Sequence, residues 1–498
     1  MAHHAGQFHP QLVGLRQFLK VHIGDEGAYA VYRLHQPFVF EPGKNPAQRG
    51  ATDAEFLGQF GFRQAGSGRI VQQANTAFLS WKKTSFAERA ELMNNLADQI
   101  EKQSDAIIDL MVKEMGKVVE QGKQEVELCA AICRYTAENG ASVLEDENRV
   151  FEGGTAIITY QPLGVILGIQ PWNFPLYQVI RYSAANIMAG NTTVMKHAKN
   201  VFGMAELIEK LYTDAGFPEH VYQSLLIDGK TASALIKHDK VRGVTFTGSD
   251  GVGKSVAETA ASLAKKTVLE LGSNDAFVVL SDADVETAVK ACVQGRIVNN
   301  GETCVAAKRF IITKSVYDQF KTQFLTAFKT LKVGDPRDED TDLGPMARED
   351  LRDELHKQVM ESVAKGASIL LGGEVPDGKG WFYPVTILEN IKPGMPAYDD
   401  ELFGPVASFI KAENDAEAMQ IANDSRYGLG GGIFTTDKEK AIKLAREEFD
   451  TGMVNINGYS LAQPNLPFGG VKDSGYGREH GGFGMREFVN EKTIFISE

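Results

Sequence analysis

From Gly164 onward, short apolar runs alternate with segments of helical periodicity. No other feature constrains the fold of this 498-residue chain as tightly. Val165–Ile169, Thr192–Met195, Ser224–Ile227, Gly243–Thr245 and Thr267–Leu269 read as strands, each separated from the next by a helical pattern. Of the helices between them, Val201–Ala215 has Asn200 in position to cap it. This βαβ succession predicts a parallel sheet covered by helices on both faces. A second α/β series follows Ala276, with helices near Val285–Ile297, Val316–Leu331 and Lys438–Glu447. The fold class is therefore α/β.

Upstream, Ala74, Ala77, Phe78 and Trp81 begin an apolar stripe at helical spacing that Leu92, Leu96 and Ile100 continue. A second helical stretch, Asp105–Asn139, carries Cys129 and Cys133 four residues apart on one face. Two thiols without a nearby His make a poor metal site, so both are read as core residues and no metal is expected. Residues 1–70 are irregular, with Gly and Pro interrupting each candidate element.

Charge and cysteine usage narrow the function. The 52 Lys and Arg against 65 Asp and Glu leave a net charge of −13, which argues against nucleic acid or an anionic membrane as partner. No apolar run reaches the roughly 18 residues that span a bilayer. The amino terminus lacks the basic and apolar regions of a signal peptide. Four cysteines in so long a chain do not form a disulfide framework, and a reducing cytoplasm is expected.

Gly248-Ser-Asp-Gly-Val-Gly253-Lys254-Ser255 fits the phosphate-loop pattern G-x-x-x-x-G-K-[ST] after a strand and before a helix. Read as a nucleotidase, the chain would use Lys254 on phosphates and Ser255 on Mg²⁺. The loop, however, follows several βα units, and the nearest apolar run ending in an acid, Phe277–Asp282, lies beyond another strand. A loop cradling the phosphates of some other nucleotide is the better reading, with a plain glycine turn as the alternative.

Cys304 follows a glycine turn in Asn299-Asn-Gly-Glu-Thr-Cys304. A lone cysteine is structural more often than reactive unless a base and oxyanion donors accompany it. Candidates for both exist. Glu270 ends the strand Thr267–Glu270, where α/β sites form. Asn173 lies in Pro171-Trp-Asn-Phe-Pro175 after another strand, with a side-chain amide able to donate to an oxyanion.

Taken together, Pro171–Pro175, Phe246-Thr-Gly-Ser249, Glu270-Leu-Gly272, Gly301-x-x-Cys304, Glu401-Leu-Phe403-Gly-Pro-Val406 and Pro467-Phe-Gly-Gly-x-Lys472-x-Ser474-Gly-x-Gly-Arg478-Glu479 resemble the aldehyde dehydrogenase superfamily over about residues 71–498. The resemblance implies NAD(P)⁺-dependent oxidation of an aldehyde to an acid. By it, Cys304 is the nucleophile, Asn173 and the Cys304 backbone N–H hold the oxyanion, and Glu270 activates water. The cofactor NAD or NADP would be bound by Trp172, Lys196, Lys199, Gly248, Ser249, Gly253, Glu401 and Phe403. Lys196 and Glu401 would bond the ribose hydroxyls, Ser249 would touch the pyrophosphate, and Phe403 would pack on the nicotinamide.

The same resemblance implies a doubly wound parallel-sheet cofactor domain (residues 71–149 and 162–270), an α/β catalytic domain (271–480) and a small β oligomerisation arm (150–161 and 481–498). A homodimer or homotetramer is expected. Residues 1–70 stand apart as an atypical amino-terminal segment.

Three departures carry expectations of their own. Lys199 stands where an acid would favour NAD⁺, and either permits the 2′-phosphate of NADP⁺ or faces solvent. Ser273 and Ala276 replace a usual Gly and Pro. Glu302 replaces a usual Gln two residues before the nucleophile, where an unscreened carboxylate would raise the thiol pKa.

Arg181, ten residues after Pro171, lies where semialdehyde dehydrogenases bind the substrate carboxylate, a task suited to a guanidinium. Its alternative role is a surface or interdomain salt bridge. Together with Lys196-His-Ala-x-Asn200 and Gly344–His356, it resembles a bacterial succinate semialdehyde dehydrogenase subgroup. A second arginine is missing, since Val298 holds that place and Arg296 points elsewhere on a helix. Succinate semialdehyde leads the expected substrates, ahead of glutarate semialdehyde and simple aldehydes.

Overall fold

The computed structural model describes residues 20–22, 29–31 and 54–497, with side chains from Gly66 onward. The chain divides into two compact units, Met1–Asn45 and Pro46–Glu498. In the first, β1 (Lys20–His22) pairs antiparallel with β2 (Tyr29–Val31). The remaining expectation for residues 1–53 lies outside the described residues.

In the second unit, helix α1 (Ala54–Trp81) begins 20 residues before Ala74, where the apolar stripe starts. Four glycines (58, 61, 66 and 68) dilute the apolar stripe there without ending the helix. Helix α2 (Phe86–Lys102) starts on a capping box, in which Ser85 and Glu88 satisfy one another's backbone N–H groups. The single helical stretch expected over 105–139 is two helices, α3 (Ser104–Met115) and α4 (Val119–Val143). Gly116 separates them in the left-handed region (φ 75°), and a Cβ there would meet the Pro345 carbonyl at 2.5 Å, so only glycine fits the break.

β3 (Glu147–Phe151) and β4 (Gly154–Pro162) form an antiparallel sheet with the carboxy-terminal strand Val489–Ser497. The βαβ series then runs β5 (Val165–Ile169), α5 (Tyr177–Met188), β6 (Thr192–Lys196), α6 (Phe202–Asp214), β7 (Tyr222–Leu225), α7 (Gly229–Ile236), β8 (Val241–Thr247), α8 (Asp250–Ala261) and β9 (Lys266–Glu270). In space the strands lie β9-β8-β5-β6-β7, all parallel, with the short strand Gly475–Tyr476 antiparallel on the β9 edge. The chain builds outward from β5 through β6 to β7, then returns to place β8 on the other side of β5. That reversal opens a crevice outside the carboxyl ends of β5 and β8, where ligands of doubly wound folds bind. Helices α1, α7 and α8 cover one face of the sheet, and α2 to α6 the other.

A second, seven-stranded sheet has the spatial order Ser368–Leu371, Thr386–Glu389, Val406–Ala412, Arg309–Thr313, Ala276–Val279, Gly431–Phe434, Asn455–Ile456. Only its first pair is antiparallel. Among the described residues, no helix is long and apolar enough to cross a membrane.

Asn200 does not cap the following helix. The first backbone N–H groups of α6, Gly203 and Met204, donate instead to the Glu114 carboxylate of α3 at 2.7 and 3.1 Å. Asn200 turns its amide to the Glu114 carbonyl at 3.4 Å. Burial raises the Glu114 pKa to about 7 against the pull of those two donors. Glu114→Ala is expected to lower stability by about 1–2 kcal/mol, as for loss of a helix cap. Asn200→Ala is expected to stay within about 0.5 kcal/mol of wild type. Urea denaturation of the two variants checks both values.

Candidate active site

The loop after β5 presents Asn173, which is buried. Its Nδ2 donates to the Glu302 carbonyl at 3.0 Å, two residues before Cys304, and its Oδ1 accepts from Gln178 Nε2 at 2.9 Å. Asn299 Nδ2 bridges the two loops, donating to the carbonyls of Asn173 (2.8 Å) and Glu302 (3.0 Å). The loop that carries Cys304 therefore sits against the carboxyl end of the six-stranded sheet. Asn299, Asn300 and Gly301 all have left-handed backbones (φ 54°, 58° and 78°), a run that only Asn and Gly adopt readily. That Asn-Asn-Gly signal was available in the sequence and marks the turn that aims the nucleophile.

Cys304 is partly exposed, unlike the three other free cysteines, which are buried. Its enclosed setting pushes the thiol pKa up to about 12, while the charges of Arg181 and Lys308 pull it down. At neutral pH the Cys304 side chain is thus a thiol. Glu302 is fully buried, and burial holds its carboxyl well above the usual range. Its Oε1 accepts from Ala347 N at 3.2 Å. Disfavouring the charged form weakens the repulsion that its place beside Cys304 suggests.

Glu270 ends β9, 2% exposed, with neither carboxylate oxygen hydrogen-bonded. Burial raises its pKa strongly, and Arg181 and Arg478 oppose the rise. Arg181 itself is buried and paired through Nε with Glu479, while Nη2 donates to Thr247 Oγ1 at 3.0 Å. A salt bridge, weighed above as its alternative role, is therefore what this geometry favours. A guanidinium so engaged has little left for a bidentate bond to substrate. Arg296 points into the protein and donates to Gly301 O at 2.7 Å.

The residues expected around a cofactor group at the same strand ends, with one exception. Lys196 is the last residue of β6, and burial and the nearby Lys199 both lower its pKa. Lys199 is exposed at the next turn. Gly248 and Ser249 join β8 to α8, whose N-cap Ser249 makes no side-chain capping bond. Glu401 pairs with Lys308 at 3.1 Å and accepts from Ser273 N at 3.1 Å. Trp172 and Phe403 meet edge to face, ring centroids 6.0 Å apart. The exception is Gly253, which lies inside α8 facing Leu271, where a Cβ would approach Leu271 Cδ2 to 2.3 Å. Its part is close helix–sheet packing rather than cofactor contact. Helix α8 already begins at Asp250, so no five-residue loop remains to wrap a triphosphate, and Lys254 is exposed and paired with Asp473 at 3.0 Å.

Sequence reasoning missed Lys308, Glu479, Gln178 and His197. The last joins β6 to the Asn173 loop through Nε2 and the Pro175 carbonyl at 2.7 Å, its ring kept neutral by burial (pKa about 4).

Residues 59–494 match the aldehyde dehydrogenase family. The chain belongs to that family. It is 45% identical over 425 residues to the succinate semialdehyde dehydrogenase [NAD(P)+] of Escherichia coli, covering 85% of this chain and 92% of that one. It is 44% identical over 430 residues to the succinate-semialdehyde dehydrogenase [NADP(+)] of Mycobacterium avium, with 86% and 91% covered. The succinic semialdehyde dehydrogenase of Streptococcus pyogenes, solved with NADP⁺, superimposes with a TM-score of 0.85 at 37% identity, over 87% of this chain and 95% of that one. As an aldehyde dehydrogenase, the protein is an oxidoreductase that oxidises aldehydes with NAD(P)⁺.

The crevice fits such a dinucleotide. A Cβ added at Gly229 or Gly251, at the starts of α7 and α8, would meet nothing within 4 Å.

A thiol pKa near 12 gives a direct expectation for this dehydrogenase. Without cofactor, alkylation of Cys304 by iodoacetamide should accelerate about tenfold per pH unit from about pH 6 to 9, because the thiolate fraction does. A plateau within that range would contradict the assignment, and peptide mapping of the alkylated cysteine checks the site.

Proposed function

We propose that the protein oxidises succinate semialdehyde to succinate through a thiohemiacetal and then a thioester on Cys304. The observation that carries the mechanism is the meeting of the Cys304 loop with Asn173, through Asn173 Nδ2 and the Glu302 carbonyl. The names of the relatives support the substrate.

The Cys304 thiol passes its proton to the ionised Glu270 carboxylate, which releases it to solvent, while the sulfur adds to the aldehyde carbon and the carbonyl oxygen takes the negative charge. The second N–H of Asn173 Nδ2, with the Cys304 backbone N–H, stabilises that oxyanion, an effect commonly worth about 10²–10³ in rate. Bound NAD(P)⁺ supplies the acceptor for the hydride that leaves the same carbon. Glu270 then takes a proton from water attacking the thioester, and acid and thiol are released. Burial raises its pKa, so the fraction that is ionised is a stronger base than an exposed carboxylate.

Lys196 and Glu401 would hold the two riboses, Gly248 and Ser249 the pyrophosphate, and Trp172 and Phe403 the nicotinamide side. The paired ammoniums of Lys196 and Lys199 favour a 2′-phosphate and hence NADP⁺. The antiparallel sheet of β3, β4 and Val489–Ser497 exposes Val150 and Phe495 at 86% and 70% and supports a homodimer or homotetramer. The four unpaired cysteines are consistent with a reducing cytoplasm.

Formation of reduced cofactor, followed by absorbance, tests this reading. Succinate semialdehyde should give a higher kcat/KM than glutarate semialdehyde or butanal, and NADP⁺ a higher value than NAD⁺. Lys199→Glu should lower kcat/KM for NADP⁺ about tenfold relative to NAD⁺. Equal use of butanal would refute the substrate, and an unchanged cofactor ratio would refute the Lys199 role.

A further inference from the structure

Asn173 serves an oxyanion only when Nδ2, not Oδ1, faces the thiol. Half a turn about one bond exchanges the two atoms. Two contacts decide the orientation: Nδ2 donates to Glu302 O at 3.0 Å, and Oδ1 accepts from Gln178 Nε2 at 2.9 Å. In the flipped state, donor would face donor at Gln178 and acceptor would face acceptor at Glu302.

Gln178 is an unusual residue for its place. It is 2% exposed on the first turn of α5, and its Oε1 has no partner. An unsatisfied buried amide oxygen is unfavourable, and an apolar side chain of the same length would avoid it. What the amide contributes is the bond to Asn173.

The helix start that carries Gln178 is itself fixed from α4. Glu125 Oε1 accepts from Leu176 N (3.0 Å) and Tyr177 N (2.9 Å), the first N–H groups of α5. Lys117 pairs with the other Glu125 oxygen and lies 4.0 Å from the centroid of Phe174. Gln121, between them at a four-residue spacing, accepts from Asn299 N. Gln121 and Glu125 on one face of α4, with Lys117 just before it, thus brace both loops that meet at Cys304.

We propose that Gln178 is a positioning residue for the oxyanion donor, holding the Asn173 nitrogen toward Cys304 from a helix start locked by Glu125 and Lys117. This rests on the dehydrogenase reading. The test compares wild type and Gln178→Met, a near-isosteric change that removes the donor, each with and without Asn173→Ala. Single-turnover formation of reduced cofactor, the KM for cofactor and thermal stability are measured.

Gln178→Met should slow the single turnover about tenfold, the scale of one lost hydrogen bond. The KM for cofactor should not change, and Gln178→Met should slow the Asn173→Ala enzyme by less than about twofold. A rate within about twofold of wild type, or a full loss persisting in the Asn173→Ala background, overturns the proposal. Should Gln178→Met fail to fold, Gln178→Leu is read by the same criteria. Normal wild-type turnover with an unaffected variant overturns the positioning role alone, whereas no wild-type turnover with any aldehyde overturns both readings.

Discussion

One hydrogen bond, from the Asn173 side chain to the main-chain carbonyl of Glu302, joins the two halves of the chemistry. Asn173 comes from the loop after β5 of the six-stranded sheet. Cys304 comes from the stretch before strand Arg309–Thr313 of the seven-stranded sheet. Neither sheet holds a complete site. The parallel topology delivers Asn173, Lys196, Ser249 and Glu270 to the same ends of their strands, and the left-handed Asn299–Gly301 turn brings the nucleophile to meet them.

Electrostatics at this junction follow from burial. Glu270, Glu302, Glu401 and Glu479 all have pKa values raised by it; Arg181 opposes the rise at Glu270 and Glu479, Lys308 at Glu401, and Arg348 and Lys117 at Glu302. A site full of fixed negative charge would suppress the thiolate. Here burial disfavours the charge on Glu302, while Glu479 is paired with Arg181 and Glu401 with Lys308. Glu270 alone has both oxygens unbonded, the state in which a base can accept a proton from water.

Much of this was legible in the sequence because it is periodic or local. The strands β5, β6, β8 and β9 appear as apolar runs between helical patterns, and the Asn173, Glu270 and Cys304 motifs keep their spacing. What escaped were partners distant in the chain. Glu114 caps a helix that begins 88 residues later, and Asn200, adjacent in sequence, looked like the cap. Arg181 was expected to face substrate, but its partner Glu479 lies near the other end of the chain. Gly253 matched a phosphate-loop letter pattern, yet its helix begins at Asp250. In each case local chemistry allowed more than one outcome, and tertiary packing selected one.

The central claim is that Cys304 carries the acyl group and Glu270 brings water to it. The most direct measurement is a rapid-mixing experiment on Glu270→Gln with succinate semialdehyde and NADP⁺, followed by mass analysis of the quenched protein. The account predicts a burst of reduced cofactor stoichiometric with active sites, then arrest, with a succinyl group on the Cys304 peptide. Uninterrupted turnover, or an adduct on any other residue, would contradict it.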